Sequence, residues 1–377
     1  DMVFSDEFDP DKFHNENGTA MKIGFQEGML ENLVSPVDLS ILKLASATGD
    51  KVITSDRAMA IFGRILGGDI TLIEKRKENY TGMSEHFVPK EMVDMIASGG
   101  EYRPDSLGVE AIEKLHANEF LVLIDETNMK HTTIGRFDAT KCRIVPIKYK
   151  IKAFGIEARP KNLAQTMFLN LLLDQDIQIL TCSGEAGGGK TLLSLAAGIE
   201  QTQGRKSHYN KVCIFRSLEA VDEEIGFLPG SADEKVDRWH DALYDAFEIL
   251  MDKNGLGGNG LMTREGIKMT MSNNNVEIGI LTFIRGRSIP QTFIIIDEAQ
   301  NIPPNVMKTI ITRCAKDTKI VILGDVTQID NPKCTKDHNG LTHIIESLKD
   351  KGIAEYGHIT LDKSERSRIA DIGIKYL

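Results

Sequence analysis

Residues 184–191 read Gly-Glu-Ala-Gly-Gly-Gly-Lys-Thr, and the apolar run Ile177–Cys182 stands directly before them. The spacing G-x-x-x-x-G-K-[ST] between a strand and a helix is a phosphate-binding loop, so the surrounding chain has to be α/β. Its chemistry follows from the residue types. The glycines at 184, 187, 188 and 189 let the backbone curl until successive N–H groups face an anion. Lys190 reaches the β- and γ-phosphate oxygens, and Thr191 offers its hydroxyl to Mg²⁺. Glu185, Ala186 and Leu192 complete the nucleotide-contacting stretch. Leu192–Ile199, with Leu and Ala at helical spacing, supplies the helix whose positive end points at the phosphates.

Downstream of this loop, short β-rich runs alternate with helical stretches: Ile177–Cys182, Lys211–Phe215, Val276–Leu281, Phe293–Ile296 and Lys319–Leu323 read as strands. Such alternation predicts a parallel sheet with helices on both faces. Asp233–Met251 has helical periodicity, with Trp239, Leu243, Phe247 and Leu250 expected in the core, and the Gly-rich stretch Asn254–Gly260 ends it in a loop. Upstream the pattern differs. Residues 1–73 read as a small α/β unit, with a helix starting at Ser35-Pro36-Val37-Asp38 and running through Ala45, a strand Lys51–Thr54 and a second helix Asp56–Leu66. Residues 74–155 read as a small β-rich connector, with β runs at Phe120–Asp125 and Arg143–Ile151 and one helix near Pro89–Ala97; residues 156–377 form the nucleotide-binding domain.

Composition excludes several classes. The 377 residues suffice for two or three domains. A net charge of −10 argues against a wholly basic, nonspecific nucleic-acid binder while leaving room for local basic patches. The five cysteines, at 142, 182, 213, 314 and 334, show no C-x-x-C spacing and no accompanying histidine cluster, so neither a zinc site nor a disulfide framework is indicated and a reducing cytosol is the expected home. No run approaches the roughly 18 apolar residues of a membrane span.

Phe293-Ile-Ile-Ile-Asp297-Glu298-Ala299-Gln300 is an apolar strand ending in two acids. Beside a phosphate loop this is the Walker B arrangement: Asp297 holds Mg²⁺ through water, and Glu298 orients or deprotonates the attacking water. A second apolar strand, Val321-Ile-Leu-Gly324-Asp325, runs into Val326-Thr-Gln328-Ile-Asp330. Ligands bind off the carboxyl ends of strands in such sheets, which places Gln328 to sense the γ-phosphate. Gln165, in Ala158-Arg-Pro-Lys-Asn162-Leu-Ala-Gln165, can pair with the N6 donor and N7 acceptor of adenine, or simply start an exposed helix. Transition-state charge needs a cation. Arg285, Arg287, Arg313 and Arg366 are the candidates, each of them equally able to form a surface ion pair.

The segments GEAGGGKT, FRSLEAVDEEIGFLPG (215–230), IRGRS, IIIDEAQN, ITRC, VILGDVTQID and SERSRIA, taken in this order, resemble the PhoH family of ATPases over roughly Ile156 to the C-terminus. The resemblance implies a RecA-like core related to superfamily 1 helicases, ATP with Mg²⁺ as the nucleotide, Gln165 as a Q-motif counterpart and a polynucleotide contact along Arg216–Gly230, with RNA favoured over DNA. Two positions depart from the family pattern: Gly188 where Thr is usual, and Ser217 where Pro commonly follows the Arg. Neither removes a phosphate-contacting group. The N-terminal unit is similar to the second half of a PIN nuclease domain, as in fused PIN–PhoH proteins, with Asp38 and Asp56 matching two acids of the PIN cluster that takes Mg²⁺ or Mn²⁺. No strand carrying the first PIN aspartate precedes Ser35, so a degenerate or truncated PIN unit and a working nuclease both stay open.

Fewer than about two hundred residues follow Lys190, the size of one RecA-like domain. Superfamily 1 enzymes close ATP between two such domains, which implies that a neighbouring copy completes this site in a ring, a hexamer. The expectation is therefore a cytoplasmic ATPase, in a bacterium or a phage-infected host, that acts on RNA. A divalent-metal ribonuclease fed by the ATPase, and a non-enzymatic ATP switch, are the alternatives.

Overall fold

The structure, a computed structural model, describes residues 36–54, 59–60, 63–64, 68–72, 80–103, 115–151, 153–154, 156, 162–203, 207–216, 241–253, 264–281 and 289–361. The chain divides into two compact units, residues 1–79 and Tyr80–Leu377. Asp56, Arg285, Arg287 and Arg366, the helix start before Asp241 and the Asn254–Gly260 loop lie outside the described residues.

In the first unit a helix α1 (Pro36–Thr48) leads into a strand β1 (Val52–Thr54), which pairs in parallel with β2 (Ile70–Leu72). Leu42 and Ala45 of α1 bury against Val52 and Ile70.

The second unit opens with a four-stranded sheet of β3 (Met83–Val88), β4 (Phe120–Asp125), β5 (Asn128–Asp138) and β6 (Arg143–Pro146), in that order. β3 runs parallel to β4, and the other pairs are antiparallel. Helix α2 (Lys90–Ala97) covers one face, burying Met92, Val93 and Ile96 against Leu121, Leu123 and Ile144. Sequence reading missed β5 because its run NMKHTTIGRFD is largely polar, yet β4 and β6 supply its ladder on either side. It also carried the last strand too far: Pro146, with no N–H to donate, closes the β6 pairing.

The larger sheet has six strands, all parallel to their neighbours, in the order β12-β7-β11-β10-β8-β9. These are β7 (Ile179–Gly184), β8 (Lys211–Arg216), β9 (Val276–Ile280), β10 (Thr292–Asp297), β11 (Lys319–Gly324) and β12 (Tyr356–Leu361). Every residue of β10 and β11 is buried, as expected for strands covered on both faces. One face is covered by α3 (Leu163–Leu173), α4 (Lys190–Thr202), α5 (Asp241–Lys253) and α6 (Arg264–Asn273). The other face carries α7 (Pro304–Ile311) and α8 (Gly340–Leu348). This is the RecA-like arrangement of a P-loop domain, and it brings the carboxyl ends of β7, β11, β10 and β8 side by side.

Sequence reading also missed β12, whose YGHITL run is interrupted by Gly357 and His358. Pairing to β7 and contacts from the small sheet secure it. Thr360 N donates to Thr81 O at 2.8 Å, and Asn118 Nδ2 to Ala354 O and Tyr356 O at 2.7 and 2.8 Å. His358 is buried, with Nδ1 2.9 Å from Thr181 Oγ1 and Nε2 3.2 Å from Thr360 Oγ1. Burial holds its imidazole down to about 4. The sign follows: between about pH 6.5 and 4 the unfolded chain binds a proton that the folded chain refuses, so stability falls as pH drops through that window. The expected loss is about 3 kcal/mol, and chemical denaturation from pH 7 to 4 should show it shrinking in His358→Gln.

Candidate active site

The phosphate loop follows β7 without a break. Gly184, Gly187 and Gly189 all take positive φ (140°, 89° and 88°), a region that L side chains rarely adopt, and Gly189 caps α4. The sequence therefore folds here into a turn that only glycine permits, ending at a helix N-terminus. Lys190 is buried, and its Nζ donates to the carbonyls of Gly184 (2.6 Å) and Glu185 (2.9 Å). Ser194 Oγ bonds Lys190 O at 2.8 Å, fixing the first helical turn.

Thr191 Oγ1 approaches both carboxylate oxygens of Asp297 at 3.4 Å. Loss of hydration in the interior, reinforced by the charge of Glu298, raises the Asp297 carboxyl above its ordinary value, with Arg216 and Lys190 pulling the other way. Two adjacent acids beside a hydroxyl form a pocket that a divalent cation would stabilise. Among the described residues no group of three or more His, Cys, Asp or Glu is placed to hold a metal by itself. A cation between Thr191 and Asp297 would thus draw its remaining ligands from phosphate oxygens and water, as Mg²⁺ characteristically does.

Glu298 turns left-handed (φ 54°), an uncommon conformation for a residue with a side chain, and such strain tends to concentrate at functional sites. Its Oε1 accepts from Arg216 Nη2 at 2.9 Å and its Oε2 from Gln300 Nε2 at 2.7 Å. Gln300 is wholly buried and acts as a hub. Its Nε2 also donates to Gln328 O at 2.8 Å, and its Oε1 accepts from Asp325 N at 3.0 Å. Gly324 permits this close approach, because a Cβ there would lie 2.5 Å from Gln300 Oε1. Asp325 in turn accepts from the phosphate-loop N–H of Ala186 (3.0 Å) and from Thr327 N and Oγ1 (2.9 and 2.6 Å). One continuous set of hydrogen bonds thus runs from Arg216 through Glu298, Gln300 and Asp325 to the phosphate loop.

The other sequence candidates fall as follows. Gln328 is exposed on the turn after β11, a turn anchored where Asn301 Oδ1 accepts from Asp330 N (2.8 Å) and Asn331 N (3.2 Å). Gln165 is buried, its Nε2 donating to Gly188 O at 3.0 Å, so it braces the loop from the α3 side. Gly188 lies against Leu361, the last residue of β12. Arg313 is exposed just after α7 and before β11, at the amino ends of the strands. Six residues of strand, about 20 Å at ~3.3 Å each, separate it from its own phosphate loop. Asp38 sits in the first turn of α1, in the other unit. Sequence reading gave no role to Gln300 or Asp325, although both stand just past strand ends beside recognised motifs, and it placed Arg216 at the start of a polynucleotide contact rather than beside Glu298.

A family model described as PhoH-like protein matches residues 157–376. A protein named PhoH2 from Bacillus subtilis (strain 168) is 34% identical over 303 residues, covering 80% of this chain and 65% of that protein. Protein PhoH2 from Mycolicibacterium smegmatis is 34% identical over 292 residues, covering 77% and 61%. The chain thus spans somewhat under two thirds of the length of these relatives. A solved Bacteroides Pif1 complexed with ADP-AlF4 overlaps loosely, at 16% identity over 57% of this chain and 45% of that one, with a TM-score of 0.26 that is too low to bear on function. The phosphate loop, the paired acids and the Gln328 turn all fall inside the family match, and this chain belongs to the PhoH family of P-loop ATPases.

Proposed function

We propose that this chain hydrolyses ATP at the Gly184–Thr191 loop and couples the reaction to a polynucleotide, RNA in preference to DNA. The observation that carries this reading is the hydrogen-bonded path from the phosphate loop through Asp325 and Gln300 to Glu298. In it, the loop N–H groups and Lys190 receive the phosphates, Gln165 steadies the loop beneath the base, and Gln328 stands at the γ-phosphate side. Mg²⁺, held by Thr191 and Asp297 together with the phosphates, would neutralise charge on the transferred group. Glu298 orients the attacking water and accepts its proton. Gln300 links Glu298 to the Gln328 turn, so that loss of the γ-phosphate is felt across three strand ends.

Arg313 lies too far from its own loop to touch the nucleotide there, which favours a finger supplied by a neighbouring copy in a hexameric ring; Arg366 is the other candidate. Doping Lys190→Ala protomers into intact ones should depress turnover more than in proportion, and strictly proportional loss would overturn the shared site. ATP turnover measured with single-stranded RNA, single-stranded DNA and duplexes tests the partner. Stimulation strongest with single-stranded RNA is expected. Stimulation by DNA alone would overturn the RNA preference, and no stimulation by any polymer would overturn the coupling.

The parallel β1–β2 pair, with Asp38 in the helix before it, favours a PIN-like identity for the first unit, with Mg²⁺ or Mn²⁺ as its metal. Asp56→Asn should then abolish RNA cleavage and leave ATP turnover intact; cleavage that survives this change would sink the nuclease reading. Among the described residues no helix is long and apolar enough to cross a membrane, which is compatible with a cytoplasmic setting.

A further inference from the structure

Arg216 closes β8 in register with Asp297 at the end of β10, and from there it reaches the very next residue, Glu298. Each oxygen of that carboxylate already accepts one hydrogen bond: Arg216 Nη2 holds Oε1 at 2.9 Å and Gln300 Nε2 holds Oε2 at 2.7 Å. A carboxylate that is to align and deprotonate water needs a lone pair aimed at the water. The two donors fix the orientation of the carboxylate, so Glu298 turns its remaining lone pairs onto a water only by letting one of them go.

We propose that Arg216 is a positioning residue that latches Glu298 at rest, and that a backbone phosphate of the polynucleotide, by taking the guanidinium, releases Glu298 for hydrolysis. The second half of this statement rests on the nucleic-acid coupling proposed above. Three observations support it. The side chains of Arg216 and Glu298 are 21% and 32% exposed, so the pair is open to solvent and held loosely enough to exchange. Carboxylate and phosphate offer a guanidinium closely similar planar pairs of acceptors, so the swap replaces one partner by its equivalent. The third observation is the strand order, in which β11 and β10 stand between β8 and β7. Three strand spacings, roughly 14 Å, separate Arg216's strand from the phosphate loop's, so Arg216 meets the site through Glu298 and not through the loop itself. After release, Gln300 keeps its hold on Oε2, so Glu298 pivots on the hub that also carries Asp325 N and the Gln328 carbonyl.

The test is steady-state ATP turnover of the full chain, with and without poly(U) and oligo(dT), for the wild type, Arg216→Ala and Arg216→Lys. Without polymer, Arg216→Ala should turn over ATP roughly two- to fivefold faster than the wild type, the range set by losing a partly exposed ion pair. Its stimulation ratio should fall to near one, while Arg216→Lys keeps most of the stimulation. Arg216→Gln, of similar reach and no charge, serves if Arg216→Ala does not fold. Equal reduction of the basal and stimulated rates in Arg216→Ala, with the ratio unchanged, would overturn the latch and make Arg216 a structural or transition-state cation. A wild type that no polymer stimulates would overturn the coupling and with it the phosphate-release step, and the basal rate of Arg216→Ala would still decide whether Glu298 is latched.

Discussion

Lys190→Ala lowers kcat for ATP by roughly 10²–10³, the scale of losing one preorganised electrostatic partner of a developing charge, and the protein stays folded. The ammonium is bonded to two loop carbonyls, Gly184 O and Glu185 O, which face water once it is gone. The structural cost is therefore small while the chemical cost is large. The loop's positive φ values and the α4 N-terminus persist in the variant, so nucleotide affinity falls less than turnover does. Initial-rate kinetics together with nucleotide-binding titration separate the two. Weaker nucleotide binding with kcat unchanged would assign Lys190 to uniform binding alone.

Gln300→Leu is expected to damage both stability and turnover. Gln300 is 0% exposed and satisfies three groups, the Asp325 N–H, the Gln328 carbonyl and one Glu298 oxygen. Leucine fills a similar volume and bonds none of them. Only the bond to the Asp325 N–H is fully buried, and losing it costs about 1–3 kcal/mol while the two part-buried bonds cost less, so a loss of roughly 2–4 kcal/mol in chemical denaturation is anticipated. Turnover should drop by a further 10- to 100-fold, because Glu298 and the Gln328 turn lose their common anchor. A variant with wild-type kcat would show that the hub is structural only.

The parts legible in the sequence were those whose chemistry depends on local spacing. The phosphate loop declares itself because three positive-φ positions and a helix start leave few residues to choose from, and β10 and β11 because double-sided burial demands unbroken apolar runs. What stayed hidden depends on neighbours distant in the chain. β12 contains a glycine and a histidine that only Thr181 and the small sheet make tolerable. Gln300 was visible as the last letter of Asp-Glu-Ala-Gln, but its role exists only once β11 delivers Asp325 and Gln328 to it. Arg216 sits 82 residues before its partner, and nothing between them in sequence hints at the contact. Gln165 was singled out for adenine, and the hydrogen bond that it makes to the phosphate loop could not be read from its helix-start position.

The most direct measurement is ATP turnover by the purified wild type beside Glu298→Gln, with Mg²⁺ present and nucleotide binding monitored in parallel. The account predicts that the variant still binds ATP and hydrolyses it roughly 10²–10⁴-fold more slowly, the scale of removing a general base. Equal turnover in the two proteins would contradict it and leave a nucleotide-binding switch in place of a hydrolase.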